Sequence, residues 1–144
     1  MSRLLVSLLV FSLLVGCVAQ PMPAAVNLKV DNPYAVQTGD ETLMSGNAEI
    51  ISASVSLAGS NPPQFTVQLA YRLPTPCYQL RVTVSQTDSQ NRINLNVYGL
   101  APKDKPCTLM PLSTPQQASL GLSGLPAGHY TVWVNGVQVG EFDA

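Results

Sequence analysis

Tyr130-Thr131-Val132-Trp133-Val134-Asn135-Gly136-Val137-Gln138-Val139-Gly140-Glu141-Phe142 is the stretch that decides the fold. Two runs rich in β-branched and aromatic residues flank Asn135-Gly136. Both residues of that dipeptide tolerate the positive φ of a type I′ turn, so the stretch predicts a β-hairpin. The same two-residue period recurs upstream. Ile51, Ala53, Val55 and Leu57 alternate with Ser52, Ser54 and Ser56 within Glu49–Leu57. Phe65, Val67, Leu69 and Tyr71 form one face of the next run; Leu80, Val82 and Val84 alternate with Arg81, Thr83 and Ser85; Ile93, Leu95 and Val97 alternate with Asn94 and Asn96. Each is the pattern of a half-buried strand. Weaker strands are expected over Cys107–Leu112 and Ala118–Leu122, and Asp88-Ser89-Gln90-Asn91 reads as a turn. The expectation is an all-β fold: an antiparallel β-sandwich of seven to eight strands, immunoglobulin-like in the loose sense, over residues 48–144. The Cys…Trp…Cys order of antibody domains is missing, because Trp133 follows both Cys77 and Cys107.

Twelve prolines and ten glycines interrupt the chain too often for long helices. About 95 residues from Ala48 onward suffice for one core and not for two. Charged residues make up only 10%, so Ser, Thr, Asn and Gln supply the polar surface.

Residues 1–16 have a basic start at Arg3, an apolar core from Leu4 to Val15 and a small residue before Cys17. They read as a secretory signal peptide, since a transmembrane helix needs about 20 apolar residues. Leu14-Val15-Gly16-Cys17 resembles the lipobox of bacterial lipoproteins. The resemblance implies a diacylglyceryl group on Cys17, cleavage before it and acylation of the new amine. Membrane lipid, reached through the acylated Cys17, then becomes the first partner, and a doubly or triply acylated residue suffices for stable anchoring. The alternative is an ordinary secreted protein cut near Val18-Ala19-Gln20, with Cys17 discarded. In the lipoprotein family an aspartate after the cysteine retains the protein at the inner membrane. Val18 stands there instead, which implies the outer membrane of a cell that has one, and in any case a lipid-anchored place in the bacterial cell envelope. Cleavage removes Arg3, leaving six basic against eight acidic residues, a net of −2. That balance offers no footprint for nucleic acid.

With Cys17 lipidated, an oxidising compartment favours a disulfide between Cys77 and Cys107. The alternatives are two buried thiols or a redox or metal pair, although the spacing matches neither CxxC nor a zinc site. Residues 17–47 read as a lipidated N-terminus and tether, with an r.m.s. span of about 30 Å for a flexible chain of that length. Val26-Asn27-Leu28-Lys29-Val30 alternates, and either belongs to the tether or adds a strand. Residues 48–144 are similar to small β-sandwich domains of bacterial lipoproteins of unassigned function. Pro76-Cys77-Tyr78, Cys107 and the Pro126–Gly136 run carry that likeness, and it brings no catalytic residues.

A simple up-and-down count of strands puts the loops at 73–77, 100–107 and 123–128 at one end. Pro74, Pro76, Pro102, Lys103, Asp104, Lys105 and Pro126 would then form a stiffened partner-binding cluster, with little ordering entropy left to lose on binding. Catalytic chemistry is thin. His129 is the single histidine and reads as a surface residue. No Gly-x-Ser-x-Gly elbow, carboxylate pair, metal-ligand set, phosphate loop or cofactor motif is present. In Tyr130–Val134, Tyr130 and Val132 share one face and Trp133 the other. Trp133 is therefore exposed or the strand is buried on both sides, and the size of the ring favours burial. The reading is a non-enzymatic binding or structural module of the envelope, contacting another envelope protein or an extended peptide. The alternatives are a small protease inhibitor presenting its proline-rich loops, or an unrecognised hydrolase. Cys17→Ala is expected to abolish incorporation of labelled palmitate; undiminished labelling would overturn the anchor.

Overall fold

The computed structural model describes residues 27–105 and 114–144. Nine strands lie among them: β1 (Lys29–Asp31), β2 (Met44–Asn47), β3 (Glu49–Ser60), β4 (Pro63–Arg72), β5 (Gln79–Val84), β6 (Arg92–Ala101), β7 (Gln116–Ser123), β8 (His129–Val134) and β9 (Val137–Asp143). One sheet has the order β1-β7-β4-β3; the other holds β2, β5, β6, β8 and β9. The two form the expected β-sandwich. All pairings are antiparallel except one: β6 and β8 run parallel from Arg92 beside Thr131 to Leu95 beside Val134. The expected strand over Cys107–Leu112 lies outside the described residues.

The core follows the alternation. Phe65, Val67, Leu69 and Tyr71 of β4 meet Ile93, Leu95 and Val97 of β6 and Tyr130, Val132 and Val134 of β8, all nearly inaccessible. Each such side chain stabilises the fold by about 1.5–3 kcal/mol. Phe142 of β9 stacks on Phe65, with ring centroids 3.9 Å apart, and partly on Tyr130 at 5.7 Å. The expected inner face of β3 is broken. Ile50 pairs with Tyr71 and Ser52 with Ala70, so Ile51 is an unpaired bulge residue and stays exposed, while Ile50 packs against the core in its place. A bulge shifts the two-residue period by one, which alternation alone does not reveal. Leu57, expected inside, is 61% exposed near a second bulge at Ala58 on this edge strand.

Residues 27–47 are not all tether. Leu28 is buried, and β1 extends the first sheet beyond β7. The chain then crosses to the second sheet, where Asn32 Nδ2 donates to the Val82 carbonyl at 2.7 Å and the Val82 N–H donates to the Tyr34 carbonyl at 2.9 Å. A 3₁₀ turn at Asp40–Thr42 follows. There the Asp40 carboxylate takes Arg81 Nε at 2.6 Å and Nη2 at 3.0 Å, a bidentate pair with both side chains buried. The Arg81 guanidinium and the Gln37 backbone N–H hold the Asp40 carboxyl below its ordinary value. Arg81, expected on a solvated face, is thus covered by the supposed tether. β2 then pairs with β6, and Gly46 sits opposite Gly99. A Cβ at Gly46 would collide with the Tyr78 ring, so the glycine pair is the seat on which that ring packs.

β6 carries three partners. β5 runs along one side of it from Leu95 to Leu100. On the other side β8 stops at Leu95 and β2 begins at Tyr98, leaving Val97 without a strand neighbour. Asn135 fills the gap. Its Oδ1 accepts from the Val97 N–H at 2.7 Å and its Nδ2 donates to the Val97 carbonyl at 3.0 Å. An amide side chain thereby replaces one residue of β-ladder. Asn135 also takes the positive φ (48°) of the turn, followed by Gly136 at 83°. Asn135→Gly keeps the turn conformation and strips the amide. It is expected to cost about 1–2 kcal/mol and to speed exchange of the Val97 amide proton. Unchanged stability and protection would show the clasp to be dispensable.

Candidate functional site

The end of the sandwich where β4 finishes is set by register. Tyr71 of β4 lies beside Gln116, the first residue of β7, and Gln79, the first residue of β5, lies beside Leu100 at the end of β6. The connections 73–78 and 102–105 therefore meet at one end. Pro74, Pro76, Lys103, Asp104 and Lys105 are exposed there, and Pro102 is half-buried. Cys77 is half-buried in the first connection, in a turn closed by the Tyr78 N–H donating to the Thr75 carbonyl at 3.2 Å. Cys107 lies outside the described residues, as does Cys17.

Pro126 does not join them. β7 ends at Ser123 beside Gln64, and β8 begins next to Arg92, the first residue of β6. The 123–128 connection thus occupies the opposite end, with the 88–91 turn and the C-terminus. There Gly128 and Ala144 exchange backbone hydrogen bonds at 2.9 and 3.1 Å. Tyr130 Oη donates to the Pro126 carbonyl at 3.0 Å. The up-and-down count fails because β6 ends and β7 begins at the same end of the sandwich.

His129 sits at this second end, on the surface as expected. Its Nδ1 lies 2.9 Å from Asp143 Oδ1 and its Nε2 is 3.8 Å from Glu141 Oε2, both carboxylates on the neighbouring strand β9. No serine hydroxyl bonds to it among the described residues. These same residues contain no cluster of three or more His, Cys, Asp or Glu able to hold a metal.

The outer face of the second sheet escaped the sequence reading. With Tyr130, Val132 and Val134 inward, Trp133 faces outward and is half-buried, which corrects the expectation of burial. Its Nε1 donates to Thr131 Oγ1 at 3.0 Å, and the Arg92 guanidinium stands 6.0 Å from its ring centre. Arg92 is itself held by Asp88 at 2.6 Å, and that carboxylate also accepts the Gln90 and Arg92 backbone N–H groups. On the same face, the interruption between β8 and β2 opens into a recess of about 770 Å³, lined by Ser45, Asn47, Thr83, Asn96, Tyr98 and Asn135 with Ala48 and Val97. An alternation signal could have found this face, since Asn94, Asn96 and Tyr98 are the polar positions of β6. Its hydroxyls and amides read there only as solvated surface.

Residues 67–144, more than half of the chain, match the ORF11 beta-sandwich domain. The chain belongs to that family. The ORF11 match begins inside β4, so it takes in the outer face of β5, β6 and β8, while β1 to β3 lie before it. No curated protein and no solved structure matches the chain.

The hydrogen bond to Asp143, with the nearby charges of Asp143 and Glu141, raises the His129 pKa above its ordinary value of about 6.5. A raised value means the ion pair stabilises the fold fully below the unfolded-state pKa and loses that contribution as pH rises through the folded one. A proton NMR titration is expected to give a His129 midpoint above 6.5 that Asp143→Asn lowers. An unmoved midpoint in that variant would show that the carboxylate does not set it.

Proposed function

We propose that the chain is a lipid-anchored, non-enzymatic binding or structural module of the bacterial cell envelope, held at the outer membrane where the cell has one. One observation of the fold carries the reading: where the chain enters the body. Asn27 lies against Gly124, since a Cβ there would sit 2.8 Å from the Asn27 carbonyl oxygen, and Lys29 is in register with Ser123. The anchored segment therefore joins the sandwich at the 123–128 end. Cys17 precedes Asn27 by ten residues, a reach of at most roughly 35 Å. With Cys17 acylated, that end faces the lipid, and Pro74, Pro76, Pro102, Lys103, Asp104 and Lys105 stand at the far end. A rigid body with a stiff loop cluster turned away from its anchor suits capture of another envelope protein or peptide.

A Cys77–Cys107 disulfide belongs to the same proposal. The loop it closes, about 30 residues, corresponds to roughly 3–4 kcal/mol of chain-entropy stabilisation, and the bond would fix the 102–105 loop to the 73–78 loop. Crosslinking in intact envelopes tests the reading. Partners captured by the native chain are expected to be lost on Lys103→Ala with Lys105→Ala and retained on Pro126→Ala, which alters the membrane-side end. Capture unchanged by the double lysine variant would overturn the assignment of the loop cluster.

A further inference from the structure

We propose that the outer face of the second sheet binds an uncharged oligosaccharide in the recess between β2 and β8. The proposal rests on the binding-module reading and adds a ligand class and a second place on the molecule. The recess exists because β8 and β2 share one side of β6 and leave a gap at Asn96–Val97. Its polar lining is three hydroxyls (Ser45, Thr83, Tyr98) and three amides (Asn47, Asn96, Asn135), with no charged side chain. Asn135 uses one acceptor and one donor on Val97. The side chains of Ser45, Asn47, Thr83 and Asn96 form no hydrogen bond with other described residues, and all four are exposed or half-exposed.

Three other ligand classes fit less well. An anion needs a cation to meet it, yet the two arginines of this face are spent: Arg81 on buried Asp40 and Arg92 on Asp88. A peptide strand needs free backbone groups, yet the Asn135 amide occupies both groups of Val97 in the gap. An apolar ligand finds a lining dominated by donors and acceptors. Sugar hydroxyls suit that lining, since hydroxyls and amides each both donate and accept. Tyr98 lies in the lining itself and offers apolar surface to the C–H face of a pyranose. Trp133 stands further along the same face, two residues before Asn135 and in register with Asn94, with its ring toward Thr131 and Arg92. The platform is a sheet already held by its core, so binding orders few groups.

The test uses the detergent-solubilised full chain with uncharged tetrasaccharides of glucose, mannose and N-acetylglucosamine. Trp133 is the single tryptophan, so its emission reports on this face. At least one tetrasaccharide is expected to give a saturable binding heat together with a change in emission. Thr83→Ala with Asn96→Ala is expected to weaken that binding tenfold or more, as is Asn47→Ala with Asn96→Ala. Leu57→Ser, on the edge of the other sheet, is expected to leave it unchanged. Absence of binding to all three sugars, full affinity in the Asn96 variants, or tighter binding of an oligogalacturonate anion would overturn the site. Those results with partner capture intact would leave the envelope-module reading standing. Sugar binding without membrane attachment or partner capture would remove that reading and keep the site.

Discussion

Everything in the second sheet depends on how the backbone of β6 is satisfied. A central strand with an unpaired buried N–H and carbonyl costs free energy comparable to lost hydrogen bonds. β6 faces that cost at Val97, where β8 has ended and β2 has not begun. The Asn135 amide meets both groups with the geometry of a peptide unit. The same residue turns the chain into β9, so a single side chain ties the hairpin to the middle of the sheet. The interruption that it bridges is also what gives the outer face its hollow. A continuous β8 would have presented a flat surface.

The N-terminal segment is the second constraint. It leaves the first sheet at Asp31, bonds to Val82 on the edge of β5, and pins Asp40 to Arg81 before pairing with β6. One side of the sandwich is thereby closed by a strap. A buried ion pair of this kind is weak evidence for stability, because desolvation offsets much of the attraction. What it does supply is register: only one position of the strap lets the carboxylate meet both guanidinium nitrogens. On the other side, β3 and β9 leave an apolar notch of about 410 Å³ lined in part by Ile50, Ile51, Val137 and Val139.

How much of this was legible in the residues varies with element length. β4, β6, β7 and β8 could be read because three or four alternating positions report the same inward face, and the Asn135-Gly136 turn has its own chemistry. The alternation at 26–30 left a strand open, and β1 lies at Lys29–Asp31, whereas β2 at four residues is too short for a period to emerge. Asp40 falls within the residues read as tether, and nothing local marks it as buried because its partner Arg81 stands 41 residues away. The loop cluster was half legible: 73–77 and 102–105 come together, whereas Pro126 was misplaced by a count of strand directions. The recess could not be seen, since it arises from where two strands stop and not from any run of residues.

The bulges at Ile51 and Ala58 have a consequence for crowding. β3 is twelve residues long and lies at the border of its sheet, with Leu57 uncovered. A straight ribbon of that length would be a template on which another copy could dock side by side. Two extra residues break the even spacing of outward amides and carbonyls and twist the ribbon, so no neighbour can match more than a short segment. The kinks work against side-by-side docking and cost some pairing within the strand itself.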